Sequence, residues 1–195
     1  RACPKRRTSV GELGGELLIR SGWGAEGYGR MTAGGVGAGV KHAGYHALEH
    51  LRSERAYREF GLDLTPDDTP YEAGLGFTVK PDKPGGFIGR DAVAAQRGQV
   101  LEKRLVMFCL EDPGPDLHKD ELIRMNGEIV GYLRSGVYSF TLGRAIGMGY
   151  VRHQGGVTKA LLRENTFEIE IAGECHRAQA SLQAFYDPTG EKSRG

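Results

Sequence analysis

The sequence predicts an α+β fold in which a helix-containing N-terminal part precedes a small antiparallel β-barrel. Residues 47–57 repeat apolar side chains at close to helical spacing. From residue 105 onward the chain runs in short alternating segments typical of strands. Between them the composition becomes polar and poor in helix formers at residues 97–103. We therefore predict two domains, at 1–97 and 98–195, the second a small barrel or jelly roll.

The charge of the chain limits its partners. The 195 residues contain 26 Lys and Arg against 25 Asp and Glu, which gives a formal net charge of +1. A chain of this length can bury one good core or two small ones. Both signs of charge are interspersed, so no overall field attracts nucleic acid or an anionic membrane. We predict neither a nucleic-acid partner nor a membrane partner.

The cysteines and termini bear on the compartment. Cys3, Cys109 and Cys175 are widely spaced and odd in number, which argues against a disulfide framework or a zinc ribbon and fits a reducing compartment. No apolar run reaches the roughly 20 residues of a spanning helix, and no signal peptide is visible. Because there is no initiator Met and a strand-like segment begins almost at once, we expect a fragment whose N-terminal part is missing.

The first predicted strand lies within residues 8–19. Glu12 and Glu16 have the same parity there, so in an extended chain both carboxylates project to one face and the leucines to the other. The neighbouring glycines indicate a turn, a bulge or a close approach to the backbone. Spacing alone favours the two glutamates as the solvent face of an edge strand. A ligand-facing pair is the alternative.

The main predicted helix begins after Gly44 and includes residues 47–59. Its apolar stripe consists of Ala47, Leu48, Leu51, Ala56 and Tyr57. Its solvated side is predicted to consist of Glu49, Arg52, Glu54, Arg55, Arg58 and Glu59. Gly61 is the predicted C-cap. Prolines and aspartates then predict an irregular connection, and residues 74–79 a short apolar strand.

Three histidines fall at four-residue intervals in this region. His42, His46 and His50 would stack on one helix, which invites a metal site. His42 precedes Gly44, however, so we expect it outside the helix, and no compelling fourth ligand is nearby. We predict surface or turn histidines and no metal site.

The second domain contains clear strand signals. Residues 105–111 predict a buried strand, and Asn126-Gly127 between two alternating runs is the strongest hairpin signal in the chain. Residues 145–151 and 166–182 supply further strands. In the last of these, apolar residues alternate with glutamates, which predicts one buried face and one wet face.

These segments carry a family resemblance. The motif D-L-x-P-D-D-x-P-x-E-A-G-L at residues 63–75 follows A-G-Y-x-A and L-R-x-E-x-x-Y and precedes F-I-G-R-D-A. Together they resemble the folate-binding region of the aminomethyltransferase family. That family includes the glycine-cleavage T-protein and the C-terminal halves of sarcosine and dimethylglycine dehydrogenases, and the 63–75 motif is most similar to sarcosine dehydrogenase. The resemblance implies a partial folate-binding α/β domain followed by a C-terminal antiparallel β-barrel.

The resemblance also implies a tetrahydrofolate site. The segment V-G-E-L-G-x-E-L resembles the family segment in which a glutamate binds the pterin, and the matching residue is Glu16. A carboxylate accepts from the adjacent parallel donors of a pterin, N3–H and the exocyclic amine, as it does from a guanidinium. Glu12, Ser9 and Tyr45 are the other predicted cofactor-binding residues. The predicted site contains no metal.

The sequence has two further polar candidates and departs from the family pattern at three positions. Arg52 and Glu54 are polar candidates on the helix, with an ordinary helix-face role favoured for Arg52. The family commonly has an aromatic residue at Ser9 and a tryptophan at Gly15, and many folate-using members have an arginine at Leu48. Members similar to sarcosine dehydrogenase also lack that arginine.

The implied activity is the capture of a one-carbon unit from a small N-methyl amine or iminium donor as methylene-tetrahydrofolate. The parent would be a flavoenzyme similar to sarcosine or dimethylglycine dehydrogenase, with FAD bound only in the missing N-terminal part. The family's catalytic aspartate lies upstream, so we assign no catalytic residue in this chain and expect the chain alone to be inactive.

Two alternatives remain open. One is a regulatory protein similar to the regulatory subunit of pyruvate dehydrogenase phosphatase, which the departures at Ser9, Gly15 and Leu48 would fit. The other is a free-standing glycine-cleavage-type aminomethyltransferase. We expect the mitochondrial matrix in a eukaryote or the cytoplasm in a bacterium, and the oligomeric state stays open.

Overall fold

The computed structural model describes residues 3–192 and 194. Its strands are β1 (Cys3–Arg6), β2 (Gly15–Leu18), β3 (Lys103–Leu110), β4 (Leu122–Met125), β5 (Glu128–Ser139), β6 (Arg144–Arg152), β7 (Phe167–Ile171) and β8 (Glu174–Ser181). Its helices are α1 (Gly24–Gly35), α2 (Tyr45–Glu54), α3 (Arg90–Gln96) and α4 (Lys159–Glu164). This arrangement confirms the predicted α+β class.

Strands β3 to β8 form a closed antiparallel barrel in the order β3-β6-β5-β4-β7-β8, and β8 pairs with β3 to close it. Closure leaves no sheet edge unpaired within the barrel. The interior is filled by apolar side chains at alternate strand positions, among them Val106, Phe108, Ile123, Leu133 and Ile169. The prediction of a small antiparallel barrel is therefore confirmed.

Strand β3 is buried on both faces. Its alternate residues Leu105 and Met107 point away from the barrel interior and pack in a second cluster with Ala56, Met148 and Tyr150. A strand covered on both faces should have a continuous apolar run instead of an alternating one. The apolar run predicted at residues 105–111 is explained by this packing, because residues at the end of α2 cover the outer face of β3.

Two tight turns connect barrel strands. Asn126 and Gly127 both have positive φ, and Met125 pairs with Glu128 across the turn. The turn between β7 and β8 has the same form, with Ala172 and Gly173 at positive φ. Asn-Gly favours this left-handed pair of conformations, so the hairpin predicted there is confirmed. Ala172 gives no comparable sequence signal, because alanine rarely adopts positive φ.

The N-terminal part begins with a hairpin. Strand β1 pairs antiparallel with β2, with Lys5 opposite Glu16, and Arg7 N–H donates to the Gly14 carbonyl oxygen. Glu16 therefore lies on a strand as predicted. Glu12 lies in the loop between the two strands, so the prediction that both carboxylates project from one extended segment is wrong.

Helix α2 ends earlier than predicted. Its last residue is Glu54, and Ala56 takes a left-handed φ of 55°. The Ala56 N–H donates to the Ser53 carbonyl oxygen and the Tyr57 N–H to that of Arg52, the pattern that usually ends helices at a glycine. Gly61 lies in a later turn, where its N–H donates to the Leu64 carbonyl oxygen. The prediction of a C-cap at Gly61 is therefore wrong.

Two other predictions need correction. Residues 74–79 form a turn and a short 3-10 helix, Gly76–Thr78, because Gly74 has a φ of 70° and the Leu75 N–H donates back to the Pro70 carbonyl oxygen. The region after residue 105 is also not all strand. Helix α4 interrupts it, and the Thr158 hydroxyl caps that helix by accepting from the Leu161 N–H. None of the helices in the described ranges is long and apolar enough to cross a membrane.

Candidate functional site

The Glu16 carboxylate lies on β2 and is partly exposed. Among the described residues its one ion pair is with Arg7 Nη1 at 3.2 Å, and the side chains of Glu16 and Arg7 are 39% and 65% exposed. Ion pairs between exposed side chains contribute little to stability and exchange readily with other partners. Glu16 therefore keeps acceptor capacity for a ligand that presents two parallel N–H donors.

Glu12 has a different role from Glu16. Its carboxylate forms an ion pair with Arg55 at the end of α2. Gly11 makes this contact possible, because it has a φ of 80° and a Cβ there would lie 2.7 Å from Arg55 Cγ. The contact holds the β1–β2 loop against the barrel-facing end of α2. Glu12 is therefore committed to a structural pair.

The other two predicted binding residues form no direct contact with Glu16 among the interactions that the structure describes. Ser9 is exposed in the β1–β2 loop. Tyr45 is the first residue of α2 and is 90% exposed. Neither forms a hydrogen bond or ion pair with Glu16, whose partner is Arg7. Their roles in binding stay predictions.

Arg55 connects three segments of the chain. Besides Glu12 it pairs with Asp187 after β8, and its guanidinium carbon lies 4.6 Å from the centre of the Tyr186 ring. Burial opposes the charge of Arg55, but the contacts with Glu12 and Asp187 outweigh it and raise the pKa. The sequence analysis placed Arg55 on the solvated side of the helix, and this prediction is wrong because the residue is only 7% exposed.

Arg52 is buried in the same interface. It is 3% exposed and pairs with Asp63, which is fully buried, at 2.6 Å from Nη1 to Oδ2. The Asp63 carboxylate also accepts from the Ser135 hydroxyl on β5 at 2.8 Å. Glu49 pairs with the other side of the Arg52 guanidinium at 2.5 Å. A helix-face role in solvent is therefore excluded for Arg52, which instead connects α2, the following loop and the barrel.

Glu54 is a second buried connection to the barrel. Its carboxylate accepts from the Ser139 hydroxyl at 2.6 Å and from both the N–H and the hydroxyl of Thr141, at 3.0 and 2.7 Å. One turn earlier, His50 Nδ1 donates to the Tyr138 carbonyl oxygen at 2.6 Å. His50 and Glu54 thus face the barrel, and Glu54, at 3% exposed, is not accessible to a ligand.

The 63–75 motif forms a further polar cluster on the barrel wall. Lys103 Nζ lies 2.7 Å from Asp68 Oδ1, and the other Asp68 oxygen accepts from the N–H and hydroxyl of Thr65. Burial of Asp68 opposes its charge, but the contacts with Lys103 and Thr65 outweigh it and lower the pKa. Burial raises the pKa of the adjacent Tyr150 hydroxyl. The motif is therefore a structural connection.

The three spaced histidines do not converge. His42 precedes α2, as predicted, and its Nδ1 lies 2.6 Å from the Tyr28 hydroxyl oxygen. His50 is bound to the barrel at Tyr138. Within residues 3–192 and 194, no group of three or more histidine, cysteine or acidic side chains has the arrangement of a metal site.

Comparisons with known proteins match both halves of the chain. Residues 2–83 match the GCVT N-terminal domain, and residues 103–187 match the glycine cleavage T-protein C-terminal barrel domain. The crystal structure of glycine cleavage system aminomethyltransferase T from Bartonella henselae has a TM-score of 0.81 over 96% of this chain and 50% of that chain, at 21% identity. This likeness shows a shared fold.

Curated relatives are similar along nearly the full sequence. A 4-methylaminobutanoate oxidase (formaldehyde-forming) of Paenarthrobacter nicotinovorans is 40% identical over 97% of this chain, and human mitochondrial sarcosine dehydrogenase is 37% identical over 97%. A mouse mitochondrial pyruvate dehydrogenase phosphatase regulatory subunit is 36% identical over 90%. The chain spans only 22%, 21% and 21% of the respective lengths of these relatives.

Proposed function

The chain belongs to the glycine cleavage T-protein family, and on this premise we propose that it is the tetrahydrofolate-binding region of a flavoenzyme similar to sarcosine and dimethylglycine dehydrogenases. In that role it would hold the folate that captures a one-carbon unit as methylene-tetrahydrofolate. FAD would bind elsewhere in the parent protein. We further propose that the folate-binding part ends at residue 97.

The names of two relatives support this substrate class. Sarcosine and 4-methylaminobutanoate are both N-methyl amines, and the oxidase of the second is named as formaldehyde-forming. Oxidation of an N-methyl group releases a reactive one-carbon fragment. Capture inside the protein would prevent its side reactions with other nucleophiles. We therefore propose a small N-methyl amine or its iminium as the donor.

The Glu16 carboxylate is the single observation that carries the proposal. It is an acceptor-only group with two oxygens, held by one exposed arginine at 3.2 Å. The N3–H and exocyclic amine of a pterin are the complementary pair of donors, and a charged acceptor strengthens both hydrogen bonds. Glu12 and Glu54 lack this freedom because each is committed to partners in the protein. Glu16 would thus bind and orient the pterin.

A regulatory role is the second candidate function. The similarity to the phosphatase regulatory subunit, 36% over 90% of the chain, is close to that of human sarcosine dehydrogenase. Gly15 and Leu48 lack side chains that would stack on or bond to a pterin. A regulatory descendant would keep the fold and the polar connections of α2 while losing folate affinity. Mitochondrial relatives occur in both classes, so a mitochondrial location is proposed for either.

Calorimetric titration of the chain with tetrahydrofolate tests the proposed function. We expect the wild-type chain to bind and Glu16→Gln to bind about tenfold more weakly, because a charge-assisted pair is replaced by one that includes an unfavourable donor-donor contact. Glu26→Gln is the matched control, since Glu26 also pairs with one exposed arginine, Arg30 at 2.6 Å.

Equal affinity of the wild type and Glu16→Gln would contradict the assignment of the pterin to this residue. Failure of the wild-type chain to bind tetrahydrofolate would contradict the proposed function and favour the regulatory alternative. Thermal unfolding of each variant shows that the comparison is made between folded proteins.

A further inference from the structure

A cavity of about 360 Å³ lies between the N-terminal part and the end of the barrel. It is lined by Gly11, residues 55–58, Gly74, residues 182–184 and residues 187–190. Four segments therefore line the cavity: the β1–β2 loop, the end of α2, the 63–75 motif and the segment after β8. The cavity is separate from Glu16 itself, which does not line it.

Arg58 contributes a half-buried guanidinium to this cavity, and the nearby Asp63 carboxylate attracts its charge without forming an ion pair with it. Its Nε and Nη1 donate to the carbonyl oxygens of Ala73 and Ala56, at 3.1 and 2.7 Å. Among the side chains that the structure describes, no carboxylate forms an ion pair with it. Burial lowers the pKa of Arg58, yet a guanidinium remains charged in proteins. A half-buried cation without a paired carboxylate favours an anionic partner.

Gly74 keeps one face of that guanidinium open. It has a φ of 70°, and a Cβ at this position would lie 2.9 Å from Arg58 Nη2. Any other residue would be strained at this φ and would displace Arg58 Nη2, which has no hydrogen-bond partner among the residues that the structure describes. The glycine of the E-A-G-L sequence thus preserves donor capacity at the cavity.

Arg55 supplies a second donor. Its side chain is only 3% exposed, and its terminal nitrogens pair with Glu12 and Asp187. Its Nε is buried without a hydrogen-bond partner in the described part of the chain. An unsatisfied buried N–H is costly unless a ligand or water accepts from it. The ion pairs with Arg55 neutralise much of the charge of Glu12 and Asp187. Arg58 is therefore the main charge in the cavity that has no ion-pair partner among the described residues.

We propose that this cavity binds a carboxylate of the glutamate tail of the folate, with Arg58 as its charged donor and Arg55 Nε as a second donor. This inference rests on the proposed function. A carboxylate has enough lone pairs to accept from both groups. The Cα atoms of Gly11, in the cavity wall, and Glu16 are separated by at most roughly 18 Å of extended chain. A folate with its pterin at Glu16 could therefore extend its tail toward Arg58.

An amino-acid donor such as sarcosine also carries a carboxylate, and the same two donors would recognise it. The cavity favours the tail because it opens among surface segments after β8, where a polyglutamate chain of several carboxylates could leave the protein. The two sources are separated by titrating tetrahydrofolate, its triglutamate form, tetrahydropteroate, which lacks glutamate, and sarcosine.

The test is calorimetry on the full 195-residue chain and on Arg58→Met. We expect the wild type to bind tetrahydrofolate about tenfold more tightly than tetrahydropteroate, because one charge-assisted contact is lost in the shorter ligand. In Arg58→Met the two ligands should bind equally, with tetrahydropteroate affinity unchanged. Arg104→Met is the matched control. Arg104 is also partly buried, has no ion pair within the described ranges and donates to a carbonyl oxygen, that of Val157.

Equal wild-type affinity for tetrahydrofolate, its triglutamate form and tetrahydropteroate would overturn the tail assignment while the proposed function stands. An Arg58 effect on sarcosine and not on tetrahydrofolate would also overturn it. Absence of binding by tetrahydropteroate and tetrahydrofolate alike would overturn both the inference and the proposed function. If Arg58→Met does not fold, the wild-type ligand series and the charge-retaining Arg58→Lys decide the question.

Discussion

At the scale of single residues, buried charge holds the N-terminal part on the barrel. Arg52 and Asp63 are both almost inaccessible and satisfy each other, with Ser135 and Glu49 as further partners. A buried ion pair of this kind need not stabilise the folded protein more than apolar packing would. Removal of one partner, however, leaves the other charge buried and unpaired. These residues therefore fix one arrangement of α2 on β5.

Asp68 makes a testable contribution to acid stability. Its contacts with Lys103 and Thr65 outweigh the opposing effect of burial, so its folded-state pKa lies below its unfolded value of about 4. The stability that it contributes is complete above that unfolded pKa and is lost as the pH falls through the folded pKa. We expect the free energy of unfolding of Asp68→Asn to fall less between pH 5 and pH 2, about the acid range concerned, than that of the wild type.

Urea unfolding at a series of pH values measures this difference. Asp67→Asn is the control, because Asp67 is exposed beside the cluster and its side chain is not part of the Lys103 pair. Identical slopes for the wild type and Asp68→Asn would contradict the assigned electrostatic role.

At the scale of elements, α2 is amphipathic in the opposite sense to the prediction. Arg52, Ser53 and Glu54 are buried against the barrel, whereas Leu48 and Leu51 are 36% and 41% exposed. Barrel groups such as Ser139 and Thr141 provide partners for the polar side. The helical period was therefore predicted correctly from the sequence, while the buried face was not.

Leucine truncation on α2 tests this inversion. We expect Leu51→Ala to lower the free energy of unfolding by less than about 1 kcal/mol, since its side chain is partly solvated. Leu133→Ala, inside the barrel and fully buried, should cost roughly 2–5 kcal/mol. Denaturant unfolding of both variants gives the comparison, and a loss at Leu51 equal to that at Leu133 would contradict the described orientation of α2.

Local signals explain which elements could be predicted from sequence. The Asn126-Gly127 hairpin depends on backbone preferences of two adjacent residues, and its strands on simple alternation. The end of α2 does not depend on such a local signal. Ala56 stands where a glycine is usual, and it is 3% exposed and packs on Leu105 and Tyr150. This packing exists only in the folded protein. Helix α4 had a readable signal, the Thr158 cap, which a reading for strands alone overlooks.

The candidate site was predictable to a similar extent. The resemblance of V-G-E-L-G-x-E-L to a family segment predicted Glu16 as the pterin-binding residue, and its position on β2 leaves its carboxylate accessible. Its role in binding stays a prediction. The pairing of Glu12 with Arg55, and the contact of Arg58 with the Ala73 carbonyl oxygen, join segments far apart in the chain. Such contacts leave no period or spacing in the sequence.

At the scale of the whole molecule, buried polar contacts join the N-terminal part to one wall of the barrel. Residues of α2, the 63–75 motif and the segment after β8 meet there, and Arg55 joins the β1–β2 loop to that last segment. The hairpin carrying Glu16 is thereby held in a fixed relation to the cavity at Arg58. Under the proposed function, this arrangement would place the pterin of a folate at Glu16 and its glutamate tail at Arg58.

The most direct test of the central claim is a ligand–residue double cycle at Glu16. Affinities of tetrahydrofolate and of its 2-desamino-2-methyl analogue, which lacks the exocyclic amine, are measured for the wild type and Glu16→Gln. If Glu16 binds the pterin, loss of the amine should weaken binding about tenfold in the wild type and far less in the variant. An equal loss in both proteins would show that the amine is recognised elsewhere and would contradict the account.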